Sequence, residues 1–453
     1  MIKKIACLVL FVLTGACANA QTWSNVGNGI VGPSSVLTWS LYSYDSVLYA
    51  GGWFDTAGVT PVSDMAQWNG SNWSAPGIGT IGYISAMVVY NGNLYVGGQF
   101  DSIGGIAANS VAMWNGSVWS PVGKGFKSAQ WGVYAMAIYN GELYAGGAFD
   151  SADSKSIYGI SKWNGTTWSA VGSGIYAADE EDGVFSLAVY NGELYAGGGF
   201  DSAGGVPVKE IAKWNGTNWS DVGHSMNDGG AVSTLAVYNG NLYAGGMFDT
   251  AGGVPANRVA MWNGSVWSPL DSGITGEATW AVVNSLIAYN NELYVGGYFD
   301  TVNGKPVNCI AKWNGTTWSK VGGSIGVSNG GSIDAMTVYN NSLYVGGGFD
   351  SVGGVYAKNI AMWTAPNSIN EINNEIDLAV YPDPVSANLY VKINGITGER
   401  MYYRVYDELG QEVKSGNFTM GVNTINVSDF SSGIYLVSVS TDAELFSAKF
   451  IKQ

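Results

Sequence analysis

The sequence predicts an all-β protein: a seven-bladed β-propeller closed by its N-terminal strand, followed by a small C-terminal β-sandwich. Three observations carry that expectation. The phrase Gly-Gly-x-Phe-Asp occurs seven times, ending at Asp55, Asp101, Asp150, Asp201, Asp249, Asp300 and Asp350, with spacings of 46, 49, 51, 48, 51 and 50 residues. A period of that size signals a toroid or an array of small sheets. Each period reads as four short strands, and the piece missing from the last period stands at the start of the first.

The second period shows the pattern. Ile84 to Tyr90 alternates, Asn91-Gly92 turns, and Asn93 to Gly98 alternates again. A longer loop, Asp101 to Asn109, leads to Val111–Trp114, and Asn115-Gly116 turns the chain into Val118–Val122. Asn-Gly between alternating runs is the strongest short hairpin signal, because a type I′ turn needs positive φ at both central residues. Both Asn-Gly pairs of the repeat are expected to form it. Four antiparallel strands recurring seven times fit a propeller, whose blades pack radially and leave only short protected edges. Two tryptophans per repeat supply the packing. One set runs from Trp68 and Trp114 to Trp363; the other, each before Ser, runs from Trp23 and Trp73 to Trp318. Burial of each ring would contribute roughly 4–6 kcal/mol as an upper bound.

The ends of the array define its closure. The last repeat stops at Trp363-Thr364-Ala365-Pro366, without its second turn or fourth strand, and residues 22–28 begin with Thr22-Trp23-Ser24-Asn25-Val26-Gly27. That segment is expected to close the circle as the outer strand of the last blade, because an open array would leave an unpaired edge.

The hairpin Leu94-Tyr95-Val96-Gly97-Gly98 and its six copies resemble kelch and galactose-oxidase-type propeller blades, over roughly residues 22–364. The resemblance implies the fold and says little of function. A copper oxidase of that type would need two histidines and a cross-linked Tyr–Cys pair. The chain has only His224, and Cys309 sits in repeat register, so that chemistry is excluded and no cofactor or metal is expected.

Residues 1–20 read as a signal peptide: Lys3 and Lys4, an apolar Ile5–Leu13, and Ala18-Asn19-Ala20 before Gln21. Thr14-Gly15-Ala16-Cys17 leaves a lipoprotein signal open as an alternative. No later stretch approaches the apolar length of a membrane-spanning helix. Cys7 and Cys17 leave with the signal, so Cys309 stands alone, without a disulfide or thiolate zinc site, in what reads as a small buried position matching Ser110 and Glu210. A net charge of −15 disfavours nucleic acid and anionic membranes as partners.

Residues 21–366 form the propeller, 367–375 a polar linker, and 376–453 seven short alternating runs. This tail is similar to the C-terminal sorting domain of proteins exported by the type IX secretion system. The matching residues are Val380-Tyr381-Pro382-Asp383-Pro384, Val405-Tyr406-Asp407 with Gly410, Ser432-Gly433-Ile434-Tyr435 and Lys449-Phe450-Ile451-Lys452. Asp383 stands where the motif usually has Asn. The resemblance implies the type IX machinery as partner, passage across the outer membrane, and release or surface attachment, usually with loss of the tail.

Strand parity puts the tight turns on one face and the loops after Gly-Gly-x-Phe-Asp, with the inter-blade loops, on the other, which is the expected binding face. Four tryptophans there are not periodic: Trp39, Trp53, Trp131 and Trp280. Trp53 takes the variable place of Gly-Gly-x-Phe-Asp, matched by Tyr298. Trp39 aligns with Ser85, Tyr134, Phe185, Ser233, Asn284 and Asp334 where the innermost strand begins; Trp131, Trp280 and Tyr176 lie between blades. Such rings suit the faces of sugars; plugging the channel and packing loops is the alternative. Asp179-Glu180-Glu181-Asp182 reads as a solvated acidic loop, with a weak cation site or a glycosidase carboxylate pair as alternatives. His224 could act only as a lone general base. Each phrase-ending Asp is followed by Ser or Thr and a small apolar residue, similar to the O-glycosylation signal of bacteria with type IX export. That resemblance implies Thr56, Ser102, Ser151, Ser202, Thr250, Thr301 and Ser351 as sites.

The expected function is a secreted or cell-surface protein that binds glycans without catalysis. A hydrolase or lyase using carboxylates on the long-loop face is the alternative, and a structural surface protein a third reading. The near-perfect repetition and the single histidine favour binding, because catalysis needs one repeat to break symmetry with placed acid and base groups.

Overall fold

Two adjacent glycines in each Gly-Gly-x-Phe-Asp phrase organise the packing. In the computed structural model, a Cβ on the first glycine would lie 2.5 Å from Val184 at Gly146, 2.5 Å from Val232 at Gly197 and 2.6 Å from Val133 at Gly97. Each of these contacts reaches the first strand of the following sheet. The same contact at Gly346 falls on Thr38, at 2.6 Å, so the seventh copy packs onto the first. The second glycine meets a backbone carbonyl of its own hairpin partner.

The structure describes residues 22–32, 37–77, 79–127, 132–177, 182–224, 226, 230–275, 281–323, 325–326, 331–364, 378–381, 384–393, 401–407, 411–419, 421–440 and 445–453. The expected signal peptide, the linker, Trp131, Trp280, Pro382, Asp383 and most of the acidic run lie outside them. Strands are the only regular elements among the described residues. No helix there is long and apolar enough to cross a membrane. The chain divides into two compact units, Met1–Pro366 and Asn367–Gln453.

The first unit contains seven antiparallel sheets whose main path has four strands. Their first strands touch in sequence: Leu37–Tyr44, Thr80–Tyr90, Val133–Tyr139, Val184–Tyr190, Val232–Tyr238, Val282–Tyr289 and Ser332–Tyr339, which returns to Leu37–Tyr44. The seventh sheet takes its fourth strand from the other end of the chain, with Thr22 opposite Thr364 and Trp23 opposite Trp363. Side chains tie the same seam: Tyr339 donates its hydroxyl to the Ser46 carbonyl at 3.0 Å and Asn359 Nδ2 donates to the Ile30 carbonyl at 2.7 Å.

The tryptophans pair across the third and fourth strands, as Trp68 with Trp73 at 5.2 Å between ring centroids and Trp163 with Trp168 at 5.3 Å. The fourth-strand indole also reaches back along the chain. Trp168 Nε1 donates to the Val122 carbonyl at 3.0 Å and Trp219 Nε1 to the Val171 carbonyl at 3.0 Å. These rings thus join sheets as well as fill them.

Three expectations need correction. The first Asn-Gly turn has positive φ at both residues, 48° and 74° at Asn91 and Gly92. The second does not form a type I′ turn. Trp68 pairs Trp73 across four residues, and Asn69 Oδ1 accepts the N–H groups of Ser71 and Asn72 at 2.9 and 2.8 Å. Asparagine serves there as a side-chain cap, which removes the need for a left-handed Asn. Secondly, the loop after each phrase is a hairpin of two-residue strands; Ser151–Ala152 pairs Lys155–Ser156 and also Phe126–Lys127. A hydrogen bond from the residue seven places on to the phrase's Asp carbonyl closes it, as Ile157 N–H to Asp150 at 3.0 Å. Thirdly, Cys309 is half-buried rather than buried. Its thiol donates to the Gly331 carbonyl at 2.8 Å and burial pushes it up to about 11.

The second unit holds seven strands in sheets of three and four. Leu389, Val391 and Ile425 of the smaller sheet share one core with Val405, Val437, Val439 and Phe450 of the larger.

Candidate functional site

All seven first strands carry a bulge, and it falls at one register position. The pairing shifts between Thr38 and Ser40, between Val133 and Ala135, and between Ile333 and Ala335, so Trp39, Tyr134 and Asp334 are the extra residues. Ser85, Phe185, Ser233 and Asn284 hold the same place in the other sheets. A bulge re-aims one side chain without disturbing the rest of the ladder. These are the residues that sequence register aligns with Trp39, and they are chemically unlike. Trp39 meets Tyr83 edge-on at 4.8 Å and Tyr134 meets Phe185 at 5.5 Å. Opposite in character, Asn284 Nδ2 donates to Asp334 Oδ1 at 2.8 Å and Ser332 donates to Asp334 Oδ2 at 3.0 Å. Burial holds the Asp334 carboxyl above its ordinary range against both bonds.

Tyr83 connects this position to a cleft of about 1400 Å³ lined by residues of the first three repeats. Trp53 stands in its wall at the end of Val47–Trp53, 55% exposed. An indole left that open in a concave site is available to a ligand face. Gln99, Asp101, Lys124, Lys127, Ser151 and Lys155 supply polar groups to the same cleft. Asp64 lines it too, and burial pushes its carboxyl up to about 6 although it accepts hydrogen bonds from Thr80 Oγ1 at 2.9 Å and Phe54 N–H at 3.2 Å.

Apart from Ser151, the other described expected residues lie away from the cleft lining. Tyr298 is exposed at the end of Glu292–Tyr298. Tyr176 is exposed in a two-residue strand and packs on Tyr158 at 5.0 Å. His224 is exposed, with its backbone N–H given to Asp221 at 2.8 Å. Thr56, Ser102, Ser151, Ser202, Thr250, Thr301 and Ser351 are all half-buried at the start of the small hairpins; Thr56 and Thr301 donate to the preceding Asp carboxylates at 2.9 Å. No group of three or more His, Cys, Asp or Glu able to hold a metal occurs among the described residues. Sequence reasoning missed Tyr83, Gln99 and the lysines of the cleft. A visible signal for one existed: Asp153-Ser154-Lys155-Ser156 stands where the fourth and fifth repeats read Gly-Gly-Val-Pro.

In the second unit Tyr381 is exposed and stacks on Tyr390 at 5.7 Å, and Pro384 is exposed. Gly433, Ile434 and Tyr435 pair with Lys452, Ile451 and Phe450. Tyr435 and Phe450 are buried against each other at 5.6 Å, whereas Ile434 and Lys449 face outward. Residues 379–453 match the secretion system C-terminal sorting domain. That sorting domain marks a protein exported by type IX secretion to the cell surface, and it implies interaction with that machinery.

No curated protein matches the chain. Among solved structures it is similar to PorZ, an essential bacterial surface component of the type IX secretion system of Porphyromonas gingivalis, at 14% identity over 93% of this chain and 60% of that one, with a TM-score of 0.46. The extracellular domain of a putative hybrid two-component system from B. thetaiotaomicron gives 11% identity over 96% and 59%, also at 0.46. The computationally designed Ika8 protein gives 12% over 74% and 98%, at 0.43. The chain thus spans about three fifths of the length of the first two.

Proposed function

We propose that the first unit is a seven-bladed β-propeller that binds glycans at the cell surface, and that the cleft holding Trp53 is its site. The cyclic order of first-strand contacts and the completion of the seventh sheet by Thr22–Asn25 support the propeller reading. One observation carries the binding reading: Trp53 is more than half exposed inside a cleft rather than packed. Trp39 and Tyr83 extend the aromatic surface beside it, and Gln99 and Asp101 can address sugar hydroxyls. In this reading residues 1–20 are a signal peptide, the tail is a small β-sandwich, and Trp131 and Trp280 are further candidate sugar-contacting residues from the sequence. The half-buried hydroxyls after each Asp are proposed O-glycan sites.

A carbohydrate-cleaving reading also has an observation behind it. Asp64 and Asp101 line the same cleft, and burial pushes the Asp64 carboxyl up to about 6, so it can hold a proton as a general acid needs to. The experiment is a glycan array with the full chain, followed by product analysis on every polysaccharide bound. Binding without turnover supports the first reading and turnover the second. Silence across the array would sink both. Trp53→Ala should weaken binding about tenfold or more; unchanged affinity would move the site elsewhere.

A further inference from the structure

We propose that the cleft selects anionic polysaccharides, with Lys124, Lys127 and Lys155 taking carboxylate or sulfate groups while Trp53 takes a sugar face; this rests on the glycan-binding reading above.

The charge distribution is the first ground. Residues 22–366 hold eleven lysines and arginines in a chain of net charge −15. Lys162, Lys213, Arg258, Lys312 and Lys358 are in ion pairs, and Lys209 has a partner of its own. Five remain without an ion pair among the described residues, and three of those five line this one cleft. All three are exposed. Outside the cleft six of the eight cations have partners, Lys305 and Lys320 being the exceptions, whereas none of the three cleft lysines has an ion pair among the described residues.

The second ground is a departure from the repeat. The third small hairpin reads Asp153-Ser154-Lys155-Ser156, where the fourth and fifth read Gly204-Gly205-Val206-Pro207 and Gly252-Gly253-Val254-Pro255. Its turn keeps the left-handed backbone of the glycine copies, with φ of 50° at Asp153 and 63° at Ser154, a conformation that costs L residues energy. Asp153 supplies the compensation. Its two carboxylate oxygens accept the N–H groups of Lys124 at 2.7 Å and Trp168 at 2.8 Å. The substitution therefore fixes the backbone that carries Lys124 and sets Lys155 beside it. Across the small sheet, Lys127, Ser151 and Ser156 align in one row, so hydroxyls flank the cation. The sixth hairpin, Asn303-Gly304-Lys305-Pro306, also places a lysine here, but Lys305 is not among the residues lining the cleft.

A pair of polymers sharing one backbone tests the idea. Binding of the full chain to polygalacturonate, alginate and dextran sulfate is compared with methyl-esterified polygalacturonate and plain dextran. The acidic polymers should bind at least tenfold more tightly at low ionic strength, and added salt should erase the difference. The triple variant Lys124→Gln, Lys127→Gln, Lys155→Gln, with an unchanged unfolding midpoint, should lose that preference and keep any Trp53-dependent affinity for the neutral forms. Equal binding of acidic and neutral forms, or a triple variant as selective as the native chain, overturns the proposal and leaves glycan binding standing. No binding to any polymer overturns both.

Discussion

Gly146 and Asp153 stand seven residues apart in one repeat and obey opposite rules. Gly146 faces the next sheet, and all seven copies keep glycine because any Cβ there would strike a neighbour's side chain. Asp153 occupies a hairpin turn with the same left-handed backbone that glycine provides in other copies, yet here an L residue is held by two hydrogen bonds. The interior cannot vary without separating sheets. The rim can vary wherever a side chain replaces what glycine supplied, and that is where the chemistry collects.

The largest effect should come from breaking the interior rule. Gly146→Val drives a branched side chain into Val184 Cγ1, 2.5 Å from the new Cβ, and should cost about 3 kcal/mol or prevent folding. Denaturant unfolding reads it; a loss under 1 kcal/mol would show that the sheets can slide apart. On the rim, Asp153→Ala strips the acceptor from two N–H groups and leaves the strained turn, a loss of about 1–2 kcal/mol. Asp153→Gly relieves the turn while losing the same bonds, so it should cost less than the alanine variant. The reverse order would mean that the turn carries no strain.

The smallest effect concerns Asp64, which shares its register position with Asn359. Asn359 Oδ1 accepts the N–H of Phe349 at 3.1 Å, as Asp64 Oδ1 accepts that of Phe54 at 3.2 Å. Burial lifts the Asp64 carboxyl from 3.8 to about 6. The folded state therefore holds this proton more tightly than the unfolded state. Stability from this group is intact below pH 3.8, falls as pH rises towards 6, and stays lowered above it. Asp64→Asn should flatten that slope and gain on the order of 1 kcal/mol at pH 7.5 relative to pH 4, after discounting for solvent near the group. Parallel pH profiles for the two proteins would refute it.

Much of the sheet pattern was legible because repetition multiplies a weak signal. One Gly-Gly-x-Phe-Asp says little, whereas seven fix strand order and phase. The position of Trp39 was found in this way, from register alone. Its bulge was not, since an alternating run looks the same with or without one extra residue. The small hairpins escaped because two-residue strands have no periodicity to read. The second Asn-Gly turn misled because asparagine can supply either a left-handed backbone or a side-chain acceptor, and the sequence is identical in both cases. The cleft was hidden for another reason: Trp53, Tyr83 and Lys155 come from three repeats, and only folding brings them to one wall.

The seam between Asn25 and Tyr356 spans 331 residues. Contacts that distant form late, after the intervening chain has collapsed. During synthesis and export the opening segment must therefore wait, unpaired, until nearly everything downstream has emerged. A chain cut short before Ile360 would leave that segment with no strand to join, and its Trp23 would remain a sticky, water-exposed indole on an unfinished product.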